Sequence, residues 1–126
     1  MASQGQGFNE SYTLSEDLRT KRFFLLKQGT TTNSALLNDS AGGQILGILQ
    51  DIGLDGSTKV KHANVRTTGE SKVILGASVT KGDPLQGNAI GKAITATTGD
   101  QIFGVALETG IIEQVINCQV SDAGIF

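Results

Sequence analysis

Ile45-Leu46-Gly47-Ile48-Leu49-Gln50 and, fifty-seven positions on, Ile102-Phe103-Gly104-Val105-Ala106-Leu107-Glu108 are two versions of one pattern, a glycine held between apolar residues. Each copy follows a polar stretch containing glycine. Each also precedes a second strand-like run, Ser57 to Val65 after the first and Glu113 to Val120 after the second. A glycine so placed in a strand marks a bulge, a bend or a close approach of two backbones. Its return at matched places predicts two related β-units and a barrel bent at two related corners.

Composition agrees. A chain of 126 residues suits one domain, long enough to bury roughly two-thirds of its unfolded surface. The core must be aliphatic, since there is no Trp, one Tyr and five Phe. Seventeen Gly without a collagen-like period, and a single Pro, fit short strands and tight turns better than long helices. The expected class is all-β. A net charge of −2 argues against wholesale phosphate neutralisation, so nucleic acid is not an expected partner. One cysteine, Cys118, rules out an intrachain disulfide and fits folding in a reducing cytoplasm. No apolar run approaches the roughly 20 residues of a membrane span, and Met1-Ala2-Ser3-Gln4-Gly5 lacks the form of a signal peptide.

Along the chain, residues 1–20 read as a flexible N-terminal arm and residues 21–126 as the β-rich body. The arm scatters Phe8, Tyr12, Leu14 and Leu18 among polar residues, with a short helix conceivable at Ser15 to Arg19 capped by Ser15. The body opens with Phe23-Phe24-Leu25-Leu26, short enough for a strand buried on both faces. Residues 30–43 read as a loop holding a brief strand at Ala35-Leu36-Leu37. Lys59 to Val65 and Lys72 to Leu75 read as two separate strands. In Lys81-Gly82-Asp83-Pro84 the chain must turn and restart, because Gly82 can take φ > 0, Asp83 can bond nearby backbone and Pro84 fixes what precedes it. Gly87 to Thr95 reads as a strand pair or a strand crossing a bulge. Ile116, Cys118 and Val120 share one face of the last strand and turn inward.

The order Val79-Thr80-Lys81-Gly82-Asp83-Pro84-Leu85, Ile90-Gly91-Lys92-Ala93, Gly99 to Glu108 and a closing strand, with Ile45 to Gln50 upstream, resembles the small capsid decoration (cement, or head-stabilising) proteins of tailed bacteriophages. The resemblance covers residues 23–121. It implies a compact β-barrel or β-tulip-like domain with an extended N-terminal arm. It also implies a non-enzymatic protein on the outer surface of the mature virion, made in the host cytoplasm, that stabilises the head by bridging major capsid protein subunits as a homotrimer. Capsid contact would fall to the arm and its basic junction: Phe8, Tyr12, Leu14, Leu18, Arg19, Lys21 and Arg22. Gly47, Gly82, Asp83, Pro84 and Gly104 would shape bends and turns.

Catalytic readings fare poorly. His62 is the only histidine, and no Gly-x-Ser-x-Gly accompanies it. One His and one Cys cannot close a zinc site. Asp51 to Gly56 lacks the spaced acids of a calcium loop. Gly87 to Lys92 matches no phosphate-binding fingerprint. No cofactor or metal is expected. The competing reading is a biotinyl or lipoyl carrier domain, suggested by Val79 to Leu85. However, neither Lys72 nor Lys92 sits in a Met- or Asp-flanked turn, and an unmodified intact mass would remove it.

Overall fold

The computed structural model describes residues 8–14, 21–29, 34–54, 60–97 and 99–125. Among these there is no helix, and the all-β expectation holds. The strands are β1 (Phe8–Leu14), β2 (Leu25–Gln28), β3 (Ser34–Leu37), β4 (Gly47–Leu54), β5 (Val60–Ile74), β6 (Pro84–Gly87), β7 (Ala93–Thr95), β8 (Gln101–Ala106) and β9 (Val115–Ile125).

The pairing shows a duplication deeper than the repeated hexapeptide. The first unit runs β3-β2-β4-β5 and the second β7-β6-β8-β9, with every neighbouring pair antiparallel. Equivalent positions match in register: Leu26 lies opposite Gly47 and Leu85 opposite Gly104, while Leu49 faces Val65 and Ala106 faces Cys118. In the first unit β1 lies antiparallel to β5 and parallel to β3, closing a ring of five strands. In the second, a parallel bridge from Leu75 to Ala93 draws β7 to the end of β5, and the Gly76 N–H donates to the Ala93 carbonyl at 2.8 Å. The molecule is thus barrel-like in both halves.

Two elements differ from the sequence reading. Lys59–Val65 and Lys72–Leu75 are not separate strands but the two ends of β5, which is 15 residues long. The intervening Thr67-Thr68-Gly69 carries no apolar signal, yet the strand continues because it changes partners there. Residues 62–68 pair with β1 and residues 69–74 with β9, and Gly69 takes φ +101° at the changeover. The body's first strand starts at Leu25 rather than Phe23, because Phe23 lies in the left-handed region at φ +70°. A bulky residue rarely adopts that conformation. Here backbone bonds hold it from two sides: the Phe23 N–H donates to the Leu49 carbonyl at 2.8 Å, and the Ile74 N–H donates to the Phe23 carbonyl at 3.1 Å.

Two cores follow from the alternation of side chains along a strand. Leu25 and Ile48 enter a larger cluster with Val73, Leu75, Leu85, Phe103, Ile116 and Cys118. Their neighbours Leu26 and Leu49 enter a smaller one with Ala35 and Val65, against which Tyr12, Leu37 and Leu46 pack. β2 and β4 therefore lie between two cores, which explains why Leu25-Leu26 and Ile48-Leu49 are apolar on both faces. Leu85 is fully buried in the larger cluster. Leu85→Ala is expected to cost about 2–5 kcal/mol through lost transfer energy and a cavity, to be read from thermal or urea unfolding.

Candidate docking surface

Among the described residues the large apolar side chains left exposed are few and belong to two loops and a strand end: Ile90 (57% exposed), Ile111 (61%), Ile112 (56%) and Val115 (41%). Both loops are rigidly built. In the turn before β9, the Gln114 N–H donates to the Ile111 carbonyl at 3.0 Å, and the Ile111 N–H donates to Gln114 Oε1 at 2.9 Å. Glu113 takes φ +71°, and its N–H donates to the Leu75 carbonyl at 2.8 Å, fixing the turn to the end of β5. Between β6 and β7, Asn88 Oδ1 accepts from the Ile90 and Lys92 N–H groups at 3.0 and 2.9 Å. Gly91 closes this loop at φ +82°, with Leu37 and Phe24 filling the space where a Cβ would stand.

Lys92 ties the two loops together. Its Nζ donates to both carboxylate oxygens of Glu113 at 2.6 Å, and it also lies 5.8 Å from the centre of the Phe24 ring. The same ring carries Lys21 Nζ at 4.9 Å, and the Arg22 guanidinium lies 4.8 Å from the Phe23 ring while its Nε donates to the Gln50 carbonyl at 3.1 Å. Cations over aromatic faces keep their charge toward solvent while their stems cover apolar surface. The basic junction foreseen at Lys21 and Arg22 is therefore joined, through Phe24 and Lys92, to the loops that expose the isoleucines. Sequence reasoning missed those isoleucines. The available signal was an adjacent Ile111-Ile112 pair between Thr109-Gly110 and Glu113-Gln114, a setting of turn rather than strand.

The other foreseen residues are dispersed. Residues 8–14, placed in the arm on composition, form β1, and the period-two spacing of Phe8, Tyr12 and Leu14 is the strand signal they carry. Tyr12 packs half-buried against the smaller core. Leu18 and Arg19, with the Ser15–Arg19 helix, lie outside the described residues. A Cβ on Gly47 would stand 2.5 Å from the Arg66 carbonyl oxygen, and one on Gly104 would overlap that of Gln119. Gly82 needs its freedom for a different reason, a φ of +94° in open space. Asp83 binds the turn, its Oδ2 accepting from the Thr80 N–H at 2.9 Å and from Thr95 Oγ1 at 3.1 Å, and Pro84 begins β6.

Among the described residues no three of His, Cys, Asp and Glu gather as a metal site. Cys118 is fully buried, and burial pushes its thiol up to about 12 from 9.0. Its folded pKa is raised, so the stabilisation it contributes is complete below pH 9 and is lost as pH rises from about 9 towards 12. The loss of stability across that window should be smaller in Cys118→Ala than in the native protein. Iodoacetamide should leave the native thiol unmodified until the chain unfolds.

Fold and surface together define a β-domain built of two similar units, with hydrogen-bonded loops that expose isoleucines. The fold is similar to that in the crystal structure of the N base of head fiber gp8.5 in bacteriophage phi29, with a TM-score of 0.70 and 15% sequence identity, covering 94% of this chain and 98% of that one. No protein-family model and no curated protein sequence matches the chain.

Proposed function

We propose that this chain is a non-enzymatic capsid decoration protein of a tailed bacteriophage. It docks on the outer surface of the mature head, bridges major capsid protein subunits and acts as a homotrimer. The observation that carries this reading is the fold likeness to a phage head fiber base over nearly the whole of both chains. The loops add support: exposed isoleucines near Lys21 and Arg22 suit a shell surface offering apolar contact and acidic groups. A protein that binds only the assembled shell stabilises it by mass action, and many copies multiply a modest contact. Shell contact centres on Ile90, Ile111, Ile112, Lys21 and Arg22, and Leu18 and Arg19 of the arm contribute to it. Synthesis is in the host cytoplasm and the finished location is the virion.

Mass spectrometry of density-banded mature particles, with copy number set against the major capsid protein, tests this. Stoichiometric presence is expected. Its absence from banded particles would overturn the proposal.

A further inference from the structure

The two units are joined by a one-sided junction. Among the described residues four backbone bonds cross it: the N–H groups of Ile74, Leu25, Gly42 and Gln101 donate to the carbonyls of Phe23, Gly91, Gly87 and Gly42, at 3.1, 2.8, 2.9 and 3.1 Å respectively. The first unit thus offers Phe23, Leu25 and Gly42, and the second receives them at Ile74, Gly87, Gly91 and Gln101. A two-fold junction would use each position on both sides. This one uses each on one side only.

The second unit carries the same offering face. Gly82 stands where Phe23 does, since both take positive φ, +94° and +70°, and their N–H groups donate to the equivalent carbonyls of Ala106 and Leu49 at 2.8 Å. Pro84 stands for Leu25, the carbonyl of each accepting from the equivalent Ala96 and Asn38 N–H groups. Gly99 stands for Gly42, three residues before the repeated isoleucine and likewise at positive φ, and Val105 stands for Ile48.

Where the first-unit residues are covered, their counterparts are open. Leu25 and Ile48 are fully buried, whereas Pro84 and Val105 are half-buried, and Gly82 and Gly99 are exposed with free space where a Cβ would stand. The receiving face is open in the first unit in the same way: Gln28 and Gln44, equivalent to the buried Gly87 and the half-buried Gln101, are both exposed. One chain therefore ends in two faces that already fit each other inside it.

We propose that copies of this chain associate head to tail, the second unit of one docking on the first unit of the next and repeating the internal junction. The Gly99 N–H then donates to the Gln28 carbonyl of the next copy, and the Gln44 N–H of that copy donates back to the Gly99 carbonyl. Both bonds run between backbones, so the sequence differences between the units leave them unchanged. A contact of this kind leaves a face open at each end until a ring closes. Three copies make a ring of six similar units, and the inference rests on the homotrimer proposed above for that number alone.

Sedimentation velocity of the full chain tests this with two variants. Val105→Glu puts a carboxylate in the offering face, and Gln28→Glu/Gln44→Glu puts two in the receiving face. Each variant alone is expected to be a monomer at concentrations where the native chain assembles. Mixed, the two retain one sound pair of faces and are expected to form a dimer and nothing larger. In the native chain, amide exchange at Gly99 and Gln44 is expected to slow about tenfold or more on assembly, whether or not the variants fold. A native chain that is monomeric at every concentration, a mixture without dimer, or exchange unchanged on assembly would overturn the proposal. A native assembly of another number would uphold the head-to-tail contact and refute the trimer. A trimer that both variants still form would do the reverse.

Discussion

Gly104→Val is expected to lower the stability of the protein by about 3 kcal/mol or more, the upper end of the cost of overpacking. Gly104 lies in β8 against β9, and a Cβ there would overlap the Gln119 carbonyl oxygen and stand 3.0 Å from its carbon and 3.2 Å from Val120 Cα. All three obstacles are backbone, so no rotamer change relieves them. β8 and β9 must separate locally and give up ladder bonds. For a chain of this size the loss corresponds to a fall in melting temperature of about 10 °C or more. Gly47→Ala at the equivalent place in the first unit should be damaging for the same reason, since its Cβ would meet the Arg66 carbonyl oxygen at 2.5 Å and Val65 Cγ1 at 2.7 Å. Gly82→Ala separates space from conformation. It meets nothing within 4 Å and bears only the strain of φ +94°, about 1–2 kcal/mol. A melting temperature for Gly104→Val within about 2 °C of native would refute the close approach.

Ile111→Asp combined with Ile112→Asp should abolish binding to mature shells while leaving the fold intact. Both side chains are more than half exposed and the turn is held by backbone bonds to Leu75. Such surface changes usually shift stability by no more than about 0.5 kcal/mol. At an interface the same side chains would be buried, each worth about 1.5–3 kcal/mol, and a carboxylate in their place must also be desolvated. Losing both contacts corresponds to a hundredfold or greater loss in affinity per site. Charge reversal at Lys21 and Arg22 should act differently, slowing association and reducing its salt dependence. Co-sedimentation of purified protein with undecorated shells reads both effects. Undiminished sedimentation of the double-aspartate variant would remove these loops from the docking surface.

The repeat was readable because a glycine between apolar residues has few uses in a strand, and Gly47 and Gly104 share one use. The full duplication was not. Leu26-Lys27-Gln28 and Leu85-Gln86-Gly87 occupy equivalent ladder positions but share only their leucine, and strand pairing depends on backbone that any sequence supplies. Strand β5 was split because Thr67-Thr68-Gly69 is polar, whereas tertiary pairing on either side carries the strand through. The left-handed Phe23 has no local signal at all, since it is imposed by Leu49 and Ile74. At the candidate docking surface, Lys21 and Arg22 were readable as a basic cluster. Their connection to Ile111 and Ile112 runs through Phe24 and Lys92, distant in sequence, and exists only in the fold.

Strand β5 gives one stretch to each unit, with Gly69 as the seam. Backbone bonds also cross that seam, the Ile74 N–H donating to Phe23, the Leu25 N–H to Gly91 and the Gly42 N–H to Gly87, so detaching either unit would leave unpaired backbone polar groups on the other. Two halves that echo each other in topology are thus bound into a single thermodynamic unit. Calorimetry should record one transition rather than two. A pull on one unit's loops would be carried to the other along the continuous backbone of β5 and the bonds that cross its seam. The repeat is thus a property of topology and not of independence: the larger core draws Leu25 and Ile48 from one unit and Leu85, Phe103 and Ile116 from the other, and neither keeps it alone.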